Sequence, residues 1–175
     1  YYLDDKGNPT AQGWLRVDGN WHYFVDGRAS IGWFADRGSW YRLDEWSGVM
    51  LTGWQKVDGR WYYMLSSGAV ATGWQSIGGT WYYFDDAGVM ATGWKQVGGS
   101  WYFMNESGQM VTGWLREGDA WYFMQPSGAM ISGWKSIGGS WYYFADSGVM
   151  ATGRVIVSGR MSSFADSGRW LGYVS

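Results

Sequence analysis

Apolar and polar positions in this chain alternate in short bursts that open on Gly-Trp, and the segment Gly73 to Thr92, GWQSIGGTWYYFDDAGVMAT, shows the pattern whole. Residues 74–77 and 80–84 read as strands on either side of Gly78-Gly79, a two-residue loop of the kind that takes positive φ and closes a tight hairpin. That loop sets the register: Ile77 opposite Thr80, Ser76 opposite Trp81, Gln75 opposite Tyr82 and Trp74 opposite Tyr83. Because side chains alternate along a strand, Trp74, Trp81 and Tyr83 share one face, and Ile77, Tyr82 and Phe84 share the other. Asp85-Asp86-Ala87-Gly88 then reads as a turn, and Val89 to Thr92 carries the chain to the next Gly-Trp.

The same burst recurs about every 20 residues. The loop slot holds Asp18-Gly19, Arg37-Gly38, Asp58-Gly59, Gly98-Gly99, Gly118-Asp119, Gly138-Gly139 and Ser158-Gly159, so glycine is present every time. Tryptophan recurs as pairs seven residues apart: Trp14/Trp21, Trp33/Trp40, Trp54/Trp61, Trp74/Trp81, Trp94/Trp101, Trp114/Trp121 and Trp134/Trp141. A repeat this short cannot bury its own apolar face, so neighbours must stack. The expectation is an all-β array of stacked hairpins, with a truncated repeat over 1–12, seven complete repeats over 13–152 and a degenerate, capping repeat over 153–175. The opening Tyr1-Tyr2-Leu3-Asp4-Asp5-Lys6-Gly7 matches Tyr82 to Gly88 and so begins midway through a repeat, as expected of a segment of a longer protein.

Composition sharpens this picture. Fourteen of the 16 Trp lie in the paired lattice, far more indole than a chain of 175 residues needs for a core. Lys+Arg 13 against Asp+Glu 15 gives a net charge of -2 and no basic stripe, which argues against nucleic acid or an anionic membrane as partner. No apolar run is long enough to span a membrane as a helix. With no Cys and the single His22, which stands where other repeats carry a Tyr, neither a metal cluster nor a histidine-based triad is expected. The carboxylate pairs Asp4-Asp5, Asp44-Glu45 and Asp85-Asp86 sit in turns and read as turn chemistry, so no catalytic residue and no cofactor is expected. The array reads as a binding module.

The two indoles of a hairpin are diagonal neighbours on one face, the two walls of a shallow slot. When hairpins stack, the first Tyr of the next one faces that slot, so Tyr82 is the expected third wall for Trp54 and Trp61. Met50, Met90, Met110, Met130 and Met150, with Val70 in phase, recur once per repeat and are suited to its base or to filling gaps between hairpins. Three rings around a small void attract a quaternary ammonium through their π faces, and several weak slots in a row suit a polymer that repeats the ligand. A sugar stacked on the same rings would need fixed polar partners beside them, yet the flanking positions vary: Leu15, Phe34, Gln55, Gln75, Lys95, Leu115 and Lys135. Two further readings are a glucan-binding module and an inert spacer whose Trp pairs only glue hairpins together.

The unit GWxxxGGxWYYFxxxGxMATGW resembles the choline-binding, or cell-wall-binding, repeat of Gram-positive bacteria and their phages, a relative of glucan-binding repeats. The resemblance implies a left-handed β-solenoid of hairpins, an extracellular location at the bacterial cell wall, and choline of teichoic acid held between successive hairpins. It places candidate cages at Trp14, Trp21 and Tyr41; Trp33, Trp40 and Tyr62; Trp54, Trp61 and Tyr82; Trp74, Trp81 and Tyr102; Trp94, Trp101 and Tyr122; and Trp114, Trp121 and Tyr142, with a Met such as Met90, Met110 or Met130. Departures are expected where the Gly-Trp interval is first 19 and then 21, with Trp46 in the extra turn, so the two cages touching that hairpin should be distorted. The last repeat reads Gly153-Arg154 and Met161-Ser162-Ser163-Phe164, which leaves Trp134 and Trp141 without a third Tyr. Trp170 and Leu171 are expected to cover that end of the stack or to pair with a second copy in a homodimer.

Overall fold

The computed structural model describes residues 6, 7 and 10–174, and the expectation for Tyr1 to Asp5 lies outside them. Among the described residues the regular structure is all β. The chain divides after Ala91 into two compact units. In the first, Gly13–Val17 pairs with Asn20–Val25, Gly32–Asp36 with Ser39–Leu43, Gly53–Val57 with Arg60–Met64, and Gly73–Ile77 with Thr80–Phe84, all antiparallel. In the second, Gly93–Val97 pairs with Ser100–Met104, Gly113–Glu117 with Ala120–Met124, Gly133–Ile137 with Ser140–Phe144, and Gly153–Val157 with Arg160–Phe164.

The register follows from the loop. Ile77 opposes Thr80, Ser76 opposes Trp81 and Trp74 opposes Tyr83, as the two-residue turn dictates. Gly78 and Gly79 take φ of 59° and 81°, and Arg37 is held in the same left-handed region at 48° where its loop lacks the first glycine.

Each second strand carries at or next to its end a side chain buried in the core of its unit: Phe24, Leu43, Met64 and Phe84 in the first, Met104, Met124, Phe144 and Phe164 in the second. These positions change freely among Phe, Leu and Met because burial there asks only for apolar volume. Neighbouring hairpins within a unit are joined through the link that follows each turn. Met90 N–H donates to the Trp61 carbonyl at 2.9 Å, Met50 to Trp21 at 2.7 Å, Val70 to Trp40 at 2.8 Å, Met130 to Trp101 at 2.8 Å and Met150 to Trp121 at 2.8 Å. Backbone groups that a lone hairpin would leave open are thereby satisfied by the stack. At Gly128 the φ of +85° and the close approach of Met110 both demand glycine, since a Cβ there would overlap the Met110 Sδ and Cε atoms.

The last strand, Trp170–Tyr173, adds to the edge of Arg160–Phe164, with Phe164 opposite Trp170 and Ser162 opposite Tyr173. Trp170 thus stands six residues after Phe164, where Met150 stands after Phe144. The Arg160 guanidinium lies over the Tyr173 ring, 4.1 Å from its centroid, and fastens the end of the strand.

Candidate aromatic binding slots

The alternation that puts both Trp of a hairpin on one face turns their rings perpendicular to each other. Trp54 and Trp61 have centroids 6.1 Å apart at 88°, and Trp74 and Trp81 6.4 Å at 83°. In the second unit Trp94 and Trp101 lie 6.5 Å apart at 82°, and Trp114 and Trp121 6.2 Å at 86°. Two indoles at right angles form a corner, with the second Trp about half exposed.

The first Tyr of the next hairpin closes that corner. Tyr41 stands 4.8 Å from Trp14, Tyr62 4.9 Å from Trp33 and Tyr82 4.9 Å from Trp54. Tyr122 stands 4.8 Å from Trp94 and Tyr142 5.0 Å from Trp114. Tyr102, the partner assigned to Trp74 and Trp81, belongs to the second unit. The second aromatic of the same hairpin touches the first Trp at a similar distance, as Phe103 does Trp94 at 5.2 Å and Phe123 does Trp114 at 5.1 Å, but it does not face the void.

The void itself is a cavity of about 320 Å³ lined by Trp94, Trp101, Tyr122, Met130, Asp146 and Ser147. An equivalent of about 380 Å³ is lined by Trp114, Trp121, Tyr142, Met150, Asp166 and Ser167. Met130 therefore lines a slot as well as bridging hairpins, and Met150, which the sequence groups with it as a candidate slot base, does the same. Also missed were Asp146, Ser147, Asp166 and Ser167. They belong to the turn two hairpins beyond the Trp pair, and the repeat spacing carries no sign that this turn reaches back to the slot. Each such slot is built by three successive repeats, walled by π faces and rimmed by a carboxylate.

The first two hairpins and the seventh depart from this perpendicular geometry. Among the described residues no edge-on contact joins Trp14 to Trp21, Trp33 to Trp40 or Trp134 to Trp141. The Trp14 indole N–H donates to Asp36 at 3.0 Å, and Phe34 stacks on Tyr23 at 4.1 Å, where the interval is one residue short. At the other end Trp134 does not stand open for want of a Tyr: Trp170 packs against it edge-on at 5.6 Å, and Phe164 lies 5.7 Å away. Ser162 takes the Tyr position and is fully buried.

Comparison with known proteins agrees with this architecture. The Choline-binding repeat profile matches residues 11–52, 51–91, 91–133 and 131–171. No curated protein sequence matches the chain. Among solved structures, CbpJ from Streptococcus pneumoniae is similar at 40% identity and a TM-score of 0.86, over 92% of this chain and 58% of that one. Choline binding protein F from Streptococcus pneumoniae is similar at 41% identity and a TM-score of 0.85, over 92% and 57%. The multimodular pneumococcal cell wall endolysin from phage Cp-1, solved in complex with choline, is similar at 38% identity and a TM-score of 0.51, over 69% of this chain and 37% of that one. The chain thus spans less than two thirds of each of these relatives.

Proposed function

The chain belongs to the choline-binding repeat family, and from that premise we propose that it is a non-catalytic module whose aromatic slots take the trimethylammonium group of choline and hold a larger protein to choline-bearing teichoic acid at a bacterial surface. The observation that carries the reading is the pair of equivalent cavities in the second unit, each with two perpendicular indoles, a Tyr from the next hairpin and a Met base. A quaternary ammonium has no hydrogen-bond donor and spreads its charge over methyl groups, so it is recognised best by ring faces. Each ring contact contributes roughly 0.5 to 2 kcal/mol, which brings a three-walled slot to about the millimolar range. Asp146 and Asp166 at the rims add attraction for a cation and none for a neutral ligand. The relative complexed with choline, the phage Cp-1 endolysin, supports the same ligand class.

The candidate sites are those slots named from the sequence whose three rings lie within one unit. Slots built on Trp54, Trp94 and Trp114 combine the perpendicular pair with the closing Tyr, and we assign them the strongest binding. Those of Trp14 and Trp33 keep the closing Tyr but lack the perpendicular pair, and we assign them weaker binding. Isothermal titration with choline chloride at constant ionic strength tests the assignment. Saturable binding of several choline molecules per chain, with fewer bound by Trp121→Ala, is expected. Absence of saturable binding, or the same stoichiometry in that variant, overturns it.

A further inference from the structure

We propose that the irregular turn after the second hairpin builds a separate site, one that takes the ring of a neutral oligosaccharide. Regular turns such as Asp85-Asp86-Ala87-Gly88 have four residues, whereas Asp44-Glu45-Trp46-Ser47-Gly48 has five, which accounts for the interval of 21. The extra length lifts Trp46 out of the fold, where it is 94% exposed. The whole indole face is therefore open to a ligand.

The turn that presents it is tightly held. The Asp44 carboxylate accepts from Trp46 N–H at 3.1 Å, Ser47 N–H at 2.8 Å and the Ser47 hydroxyl at 2.8 Å, and Gly48 N–H closes onto the Asp44 carbonyl at 2.9 Å. Arg42, standing where most repeats carry the second aromatic, bonds Glu45 at 2.5 Å and lies 5.6 Å over the Trp33 ring. A Cβ on Gly48 would come within 3.0 Å of Ala29 and of the Ser30 carbonyl, so the turn is seated on the link beneath it. Order of this kind removes much of the entropic cost of binding to an exposed ring.

Beside Trp46 lies a cavity of about 590 Å³, whose lining includes Trp33, Glu45, Gln55, Lys56 and Asp58. It differs from the Trp slots in kind. Arg42 is paired with Glu45, and Lys56 stands with Asp44 and Asp58 in the lining, so charged groups of both signs share this cavity. A neutral ligand rich in hydroxyl groups meets both donors and acceptors there and can lay its C–H face on the indole. Glu45, Lys56 and Asp58 are polar groups beside a ring, as a sugar site needs, and they lie outside the positions flanking the paired Trp.

The site shares the Trp33 ring with a candidate choline slot, whereas Trp46 belongs to none of those slots, and that residue makes the proposal testable. Calorimetric titrations with chitotetraose and with isomaltotetraose, run on the full chain with choline already saturating, should show one of the two binding saturably, one molecule per chain. Trp46→Ala should weaken that binding at least about tenfold while leaving the melting temperature and choline stoichiometry unchanged, because the ring is outside the fold. Asp58→Asn should weaken it as well. No saturable binding of either sugar, an unchanged affinity in Trp46→Ala, or sugar binding abolished by saturating choline would each overturn the proposal.

Discussion

At the level of single residues, the position of the closing Tyr separates binding from packing. Tyr122 faces the void beside Trp94 and Trp101, whereas Phe103 touches the same Trp94 from its own hairpin and does not. Tyr122→Ala should therefore weaken choline at that slot roughly two- to thirtyfold, the worth of one ring contact. Phe103→Tyr should leave choline affinity unchanged. Asp146 acts across solvent, so Asp146→Asn should cost at most roughly fivefold at low ionic strength and less as salt rises. A calorimetric series at two salt concentrations distinguishes the two kinds of residue. Asp44 plays a local part: amide and hydroxyl donors of Ser47 and the Trp46 amide hold its carboxyl below the ordinary value of 3.8. A depressed pKa means that its support for the turn is present above that value and is lost as the pH falls below it. Trp46 fluorescence should therefore change in that acid range before the rest of the indoles respond.

At the level of the hairpin, the loops and the alternation were enough to foretell strand pairing residue by residue, because a two-residue turn leaves a single register. That the first Tyr of one hairpin stands against the first Trp of the hairpin before it follows from the same alternation, since opposite faces of stacked hairpins meet. What could not be read was the return of the turn carrying Asp146 and Ser147 to a slot two hairpins earlier, because that depends on how far each hairpin rotates over the last. Nor could the covering of Trp134 by Trp170, because Trp170 occupies the place of a Met in a repeat that has lost its Tyr. Glycine shows the same division. Gly78 has open space around it and a φ of +59°, a conformation Asp18 and Asp58 already adopt in equivalent loops, so Gly78→Asp should be nearly neutral. Gly128→Ala combines a left-handed backbone with the Met110 overlap and should cost about 1 to 3 kcal/mol. Thermal melts of the two variants side by side check this contrast.

At the level of the whole molecule, weak slots become useful because several of them share one chain. Once a choline-bearing polymer is held at one slot, the others bind it at high effective concentration, and avidity exceeds that of any single site. A ligand that touches two hairpins at once also stabilises the folded stack by mass action, by about 2.7 kcal/mol per site at a hundredfold excess over Kd. The melting temperature should thus rise in choline chloride relative to sodium chloride of the same ionic strength. The central claim is that the slots recognise a positive charge through ring faces, and the most direct test is a Trp-fluorescence titration comparing choline with 3,3-dimethylbutan-1-ol, its uncharged counterpart of nearly the same shape. The account predicts saturation by choline in the millimolar range and at least about tenfold weaker binding of the alcohol; equal affinity for the two would contradict it.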